Sequence, residues 1–441
     1  MDDDRVLAGV RVFELSIAVA APSCGRALAY HGAEVIKVES RQVPDVARLF
    51  GSAWARDAEH AAVFYDTGPY VPEMSAGKRS VGLELKEPGA IEAAYALAAQ
   101  CDVFLTNYAL PAVRGLGLDY PDLKAVRDDI IYVAMPGFGA NPELPYYPFR
   151  AFGPNQAPLV GLDVLTGLPG EEPAGIATIA PPDYVAGLHA VMGVLSALEH
   201  RDRTGEGCRI DISQFETTVA LLGPYLADNA ITGAVPEPAG NRVGWAAPTG
   251  TYRCSGADRW VAISVDDDTA WAALVALTGD PALADPRFAT LAGRRDHHGE
   301  IDGLIEGWTA AISPDEAAAR LQAAGVAAYP VNDHRGVLWD PQVRDRGWFD
   351  TAPCSRFERD LFSGHPIRLT DTPARVDRAG PSMGEDTVAV LRDIAGLDQS
   401  AVDDLVARGA AFTENEPERK LRRPFDAWFE IAGLVDEGAA R

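Results

Sequence analysis

Short apolar runs alternate with helical stripes through the first two hundred residues. Val10-Arg11-Val12-Phe13-Glu14-Leu15 predicts a strand, and the stretch from Pro22 to about Tyr30 a helix. Glu34-Val35-Ile36-Lys37-Val38 predicts a second strand, and Ser80-Val81-Gly82-Leu83-Glu84-Leu85 a third, followed by a helix over 90–99. Asp102-Val103-Phe104-Leu105 and Ile130-Ile131-Tyr132-Val133-Ala134 read as two more strands. Runs this short, separated by amphipathic segments, predict an α/β fold with a parallel, doubly wound, Rossmann-like sheet. The first predicted strand leads into Ala20-Ala21-Pro22-Ser23-Cys24-Gly25 in place of GxGxxG, so the alternation gives no reason to place NAD.

A longer helix is predicted from about Asp183 to Arg201, with Val185, Leu188, Met192 and Leu195 at helical spacing. Arg209-Ile210-Asp211-Ile212-Ser213 is strand-like, and 214–232 reads as one helix. After the Pro/Gly-rich connector 234–240, a strand at 260–265 and helices near 268–278, 300–312 and 314–324 suggest a smaller α+β unit. The tail from about 385 is helical, then charged over 414–423, and ends in an apolar helical stripe at Pro424-Phe425-Asp426-Ala427-Trp428-Phe429. The expected organisation is a large Rossmann-like domain over 1–225, a small α+β domain over 226–330, and a return segment over 331–441 that completes the large domain.

Charge narrows the partners. The chain of 441 residues carries a formal net charge of -25, which disfavours nucleic acid and anionic membrane surfaces. Any anionic ligand must then be met by a local cluster of cations and backbone amides. Cys24, Cys101, Cys208, Cys254 and Cys354 are scattered without CxxC spacing, which predicts neither a metal site nor a disulfide framework. With no apolar signal segment and no stretch long enough to span a bilayer, the expected location is the cytoplasm.

The candidate chemistry centres on Asp183, in Ala180-Pro181-Pro182-Asp183-Tyr184 at the start of the long helix. A carboxylate at the N-cap or in the first turn meets unpaired N–H groups and the positive end of the helix dipole, so the expectation is a carboxyl held in its ionised form. Such a group can serve as a nucleophile towards an activated acyl group, or simply cap the helix. Met135-Pro136-Gly137-Phe138-Gly139 offers close backbone approach at Gly137 and Gly139, where developing oxyanions need donors. Lys37, Arg41, Lys78, Arg79 and Lys86 flank the second and third strands, and Asn107 ends the fourth.

Leu7-Ala8-Gly9-Val10-Arg11-Val12 and Gly32-Ala33-Glu34-Val35-Ile36-Lys37-Val38-Glu39 resemble the opening of the class III CoA-transferase family (CaiB/BaiF type). The similarity continues through Gly77-Lys78-Arg79-Ser80-Val81-Gly82-Leu83-Glu84-Leu85-Lys86, Pro136-Gly137-Phe138-Gly139 and Arg203-Thr204-Gly205-Glu206-Gly207. It ends in Asp340-Pro341-Gln342-Val343, Pro366-Ile367-Arg368-Leu369 and Met383-Gly384-Glu385-Asp386-Thr387. The resemblance implies an acyl-CoA:carboxylate CoA-transferase that works through a covalent intermediate on Asp183. It implies CoA or acyl-CoA as substrate, contacted by Val19, Ala20, Lys37, Arg41, Lys78, Arg79, Leu83, Lys86 and Asn107. It also implies an interlocked ring-shaped homodimer, or a heteromer with a related subunit. Ala21, Ser40, Ala109 and Gly115 depart from the family pattern and bear on the CoA contacts.

Two alternatives share this fold. An acyl-CoA racemase pairs its Asp with a His in a G-H-D element, where this chain has Arg150-Ala151-Phe152-Gly153-Pro154-Asn155. A non-catalytic subunit of a heteromeric transferase is the other. Phe50, Trp54, Phe64, Tyr65 and Tyr70, between the second and third strands, either wall a pocket for a medium-sized, aromatic or branched acid or serve core packing; the aromatics fit both readings equally.

Overall fold

The computed structural model describes residues 4–49, 66, 68, 70–176, 180–353 and 360–414. They form two compact units: one from residues up to 160, 176–228 and 341 onward, the other from 161–175 and 229–340. The segment 161–175, inside the expected large domain, thus belongs to the second unit.

The first unit is built on a seven-stranded sheet of β1 (Arg11–Leu15), β2 (Glu34–Glu39), β3 (Arg79–Leu83), β4 (Val103–Thr106), β5 (Ile131–Ala134), β6 (Arg209–Asp211) and β10 (Ala411–Phe412). Its strand order is β10-β3-β2-β1-β4-β5-β6. All neighbours pair in parallel except the edge strand β10, which runs antiparallel to β3. Side chains alternate across the sheet. Phe13, Ile36, Phe104 and Tyr132 bury on one face, with helix α2 (Ala90–Ala98). Val12, Val35, Val103 and Val133 bury on the other, with α1 (Ala20–Tyr30) and α4 (Pro181–Thr204). The chain proceeds outward from β1 through β2 to β3, then returns to β4 on the other side of β1. That reversal opens a crevice at the carboxyl ends of β1 and β4, the usual ligand position in open α/β sheets.

Two expectations need correction. Leu188, Met192 and Leu195 do not face the core; they are 66%, 62% and 43% exposed. The buried face of α4 is instead made of Ala186, Gly187, Ala190, Val194 and Ala197. The small residues let α4 approach α1 so closely that a Cβ on Gly187 would lie 2.2 Å from Ser23 Oγ. The segment 214–232 is not one helix but two, α5 (Gln214–Leu221) and α6 (Gly223–Thr232). Pro224 has no N–H to continue the first ladder, yet fits the first turn of the second helix.

The second unit carries an antiparallel sheet of β7 (Thr249–Arg253), β8 (Trp260–Ser264) and β9 (Ala327–Pro330), covered by α7 (Asp268–Thr278), α8 (His298–Thr309) and α9 (Pro314–Ala323). Its core joins Val261 and Ile263 to Trp271, Leu274, Ile305 and Leu321. Among the described residues no helix is long and apolar enough to cross a membrane. Phe50, Trp54, Phe64, Tyr65 and the 424–429 stripe lie outside the described residues, whereas Tyr70 opens a short helix, Tyr70–Ser75.

Candidate active site

Asp183 is the third residue of α4, after Pro181 and Pro182, whose missing N–H groups lose nothing in a first turn. Its side chain lies at the crevice and is 7% exposed. Two further helix starts converge on it. The N–H of Gly153, first residue of α3 (Gly153–Leu159), and the N–H of Ala20, first residue of α1, face the carboxylate, while Asp183's own N–H donates to the Ala180 carbonyl at 3.1 Å. Among the described residues no charged side chain contributes to its titration. The expectation that the helix start by itself favours the ionised form is therefore corrected: burial outweighs the backbone N–H groups and lifts the pKa to about 6. Such a carboxyl is still largely ionised at neutral pH, and it is more basic and less hydrated than a surface aspartate, both of which favour nucleophilic attack.

Gly153 is required sterically as well, since a Cβ there would lie 2.4 Å from Asp183 Oδ2 and 2.6 Å from Ala180 Cβ. Sequence reasoning missed it as a donor, because nothing local signals that residue 153 faces residue 183. Gly137 and Gly139 follow β5 and line the same cavity as Asp183. Gly139 takes φ +84°, and a Cβ on Gly137 would sit 2.3 Å from Ala151 Cβ. Beside them Gln214 Nε2 donates to the Met135 carbonyl (2.7 Å) while its Oε1 accepts from Gln156 Nε2 (3.0 Å), which fixes the start of α5 under the glycine loop.

The cavity over Asp183 has a volume of about 320 Å³ and adjoins a second of about 470 Å³. Val43, Tyr108, Ala112 and Arg150 line both, so the two form one groove. Arg150 is exposed at the junction, and Lys86 is exposed along the outer cavity, where Leu83 forms part of the wall. Arg150 was not among the expected contacts.

The other expected contacts are placed differently. Lys37 is buried in an ion pair with Asp45, and the acidic neighbours outweigh burial to keep its pKa above the ordinary lysine value. Lys78 is wholly buried, 2.8 Å from both Glu14 Oε2 and the Pro22 carbonyl; burial lowers its pKa to about 8 despite Glu14. Both lysines thus face carboxylates inside the fold. Arg79 pairs with Glu34 at 2.8 Å. Arg41 is exposed, with its guanidinium 2.5 Å from the Thr413 carbonyl and 4.2 Å from the Phe412 ring centroid. Asn107 lines the inner cavity, but its amide is engaged with Ile17, accepting from the N–H at 3.0 Å and donating to the carbonyl at 2.8 Å. Val19 precedes α1, and the Ala20 N–H faces Asp183. His189 Nδ1 lies 2.8 Å from the Val185 carbonyl one turn back, a structural contact. Among the described residues no group of three or more His, Cys, Asp or Glu side chains is placed to hold a metal ion.

Comparison with known proteins agrees with this architecture. The model of CoA-transferase family III matches residues 7–387. The succinyl-CoA–D-citramalate CoA-transferase of Chloroflexus aurantiacus is 31% identical over 402 residues, covering 91% of this chain and 96% of that protein. The beta subunit of a succinyl-CoA–L-malate CoA-transferase from the same organism is 29% identical, covering 90% of this chain and 96% of that one. The crystal structure of a CaiB/BaiF family protein from Brucella suis superposes with a TM-score of 0.80 at 30% identity, covering 89% of this chain and 100% of that one.

Proposed function

The chain belongs to CoA-transferase family III, and from that premise we propose that Asp183 is the nucleophile that carries CoA between two carboxylic acids. As a member, the protein is a CoA-transferase, an enzyme whose substrates are CoA thioesters. The observation that carries the proposal is the buried Asp183 carboxyl at the floor of the groove, faced by the N–H groups of Gly153 and Ala20 and, among the described residues, by no cationic side chain.

In the proposed sequence, an Asp183 oxygen attacks the thioester carbonyl of the donor and expels CoA thiolate, leaving a mixed aspartyl–acyl anhydride. The thiolate then attacks the aspartyl carbonyl, so the donor acid leaves and an aspartyl-CoA thioester remains. The acceptor carboxylate attacks that carbonyl and again expels the thiolate. Return of the thiolate to the acceptor's carbonyl releases new acyl-CoA and restores the Asp183 carboxylate. Four exchanges of comparable energy replace hydrolysis and resynthesis, so no external energy source is needed. The N–H groups of Gly153 and Ala20, which face the carboxylate in the resting state, are donors for the oxyanions formed at the aspartyl carbon, with Gly137 and Gly139 allowing close approach of the acyl part.

The groove supplies a place for the nucleotide. Arg150 and Lys86 are its cations, and they meet the CoA phosphates, with the pantetheine arm running inward to Asp183. Tyr147, Phe149 and Phe152 on the inner cavity favour a medium-sized apolar or aromatic acid as one of the two carboxylates. The exposed Leu188, Met192 and Leu195 of α4 favour a homodimer, with a related second subunit as the alternative that the malate enzyme's beta subunit suggests.

Incubation with succinyl-CoA as first donor, followed by hydroxylamine, converts Asp183 to its hydroxamate, seen by mass spectrometry of the peptide around residue 183. A protein that turns over CoA thioesters yet yields no adduct on that peptide sinks the covalent scheme. Racemisation is disfavoured because Phe152 and Gly153 offer no proton donor where a racemase has His and Asp. Deuterium entering the α-carbon of a 2-methylacyl-CoA in D₂O, with no acceptor acid present, would reverse that ranking.

A further inference from the structure

Asp45 lies in the loop after β2, outside every role given above. It is 3% exposed and uses both carboxylate oxygens. Oδ2 receives the Lys37 ammonium; Oδ1 accepts the N–H of Ala18 at 2.7 Å and that of Ala47 at 2.9 Å. Ala18 has φ +59°, one of two non-glycine residues with positive φ among the described residues. An alanine stays in that region only when its surroundings hold it there. The hold is visible on both sides: Asn107 clamps the Ile17 peptide, and Asp45 takes the Ala18 N–H. Two residues later the chain enters α1, and the N–H of Ala20 points at Asp183. A change in the Ala18 peptide therefore reorients the donor that Asp183 receives.

We propose that Asp45 is a positioning residue for Asp183: by holding Ala18 in the left-handed conformation it aims the Ala20 N–H at the nucleophile's carboxylate. The inference rests on the reading of Asp183 as nucleophile for its bearing on catalysis, but the geometry it invokes can be tested without turnover. The charged groups around Asp45 are Lys37 from β2 and Arg48 from the following turn, with Glu39 and Glu14 beyond Lys37. Asp183 is faced by backbone N–H groups, with Tyr184 beside it and Arg150 on the wall of the same cavity. Turning the Ala20 N–H away raises the Asp183 pKa further, because that N–H favours the ionised form.

The test compares two full-length double variants that both remove the buried charges, so neither leaves an orphaned ion. K37M/D45N keeps an acceptor oxygen for Ala18; K37M/D45L has nearly the same volume and no acceptor. The titration of Asp183 is read in each background from the pH at which adding D183N begins to change thermal stability, a measurement independent of CoA transfer. The titration stays near 6 in the Asn pair and rises by roughly one pH unit in the Leu pair. In parallel, kcat falls on the order of tenfold in the Leu pair with little change in KM. Equal titration in both pairs overturns the proposal. If the Leu pair does not fold, Ala18→Val carries the test, since a β-branched residue resists φ +59° while Asp45 is untouched; an unshifted Asp183 in that variant overturns it equally. Absence of CoA transfer from the wild-type protein, with the titration shifted as described, refutes the proposed nucleophile and leaves the positioning intact.

Discussion

Replacing Asp183 by Asn should abolish transfer and at the same time make the protein more stable. Folding moves this carboxyl from an ordinary value near 3.8 to about 6, with burial the largest cause. A raised native pKa means that the native state binds the proton more tightly than the unfolded chain. The stability this confers is fully present below about pH 4 and is lost as pH rises through 6. At pH 8 the ionised group therefore costs the fold about 3 kcal/mol, from 1.36 kcal/mol per pH unit. Asparagine removes that cost but offers one acceptor oxygen to the Gly153 and Ala20 N–H groups, which returns on the order of 1 kcal/mol. The net expectation is a variant more stable than wild type by about 2 kcal/mol at pH 8, a gain that vanishes or reverses at pH 4. Thermal or denaturant unfolding of both proteins at each pH measures it, and the difference between them cancels every other titrating group. A difference that does not vary between pH 4 and 8 refutes the raised pKa. The same titration governs activity: below about pH 6 the transfer rate should fall tenfold per pH unit as the nucleophile protonates.

Gly153→Ala should lower transfer at least tenfold and destabilise by about 1–3 kcal/mol, because the added methyl overlaps Asp183 Oδ2; kinetics at the wild-type level would show that the crevice can yield there. Arg150→Ala should raise KM for acyl-CoA about tenfold with unchanged Tm, as for an exposed phosphate contact. Lys37→Met should do the opposite, losing about 3–5 kcal/mol of stability by stranding the buried Asp45, so a KM effect without destabilisation would place Lys37 at the ligand after all. Leu188→Glu with Met192→Glu should convert a dimer to monomers in sedimentation, and an unchanged mass would remove α4 from the interface.

β1 to β5 were legible because they are short apolar runs, and parallel strands buried on both faces have little else to be; the edge strand Ala411–Phe412 was not, being two residues in a tail that reads as helical. α7, α8 and α9 fall close to where helical spacing puts them. β7 and β9 were not legible, since Thr249–Arg253 has Tyr252 as its one apolar side chain and Ala327–Pro330 ends in proline. For α4 the spacing was right and the buried side wrong: periodicity finds a stripe, but only a neighbour decides whether large or small residues face it. Here α1 approaches so closely that Gly187 and its alanines take the core.

Asp183 at a helix start, and the blocks of sequence that resemble the family, are properties of the chain itself. Its ionisation is not. A lone helix start lowers a carboxyl pKa, whereas the folded crevice removes water from it, and desolvation is the larger effect. The destination of the basic residues is tertiary too. A lysine beside a strand reads the same whether it meets a phosphate or a carboxylate. Only the paths of the loops put Asp45 over Lys37, buried Lys78 against Glu14, and left Arg150 exposed in the groove. The chain determined which groups were available, and packing decided which of them keep water, because solvation depends on the neighbours that folding brings together, such as Glu14 and Lys78.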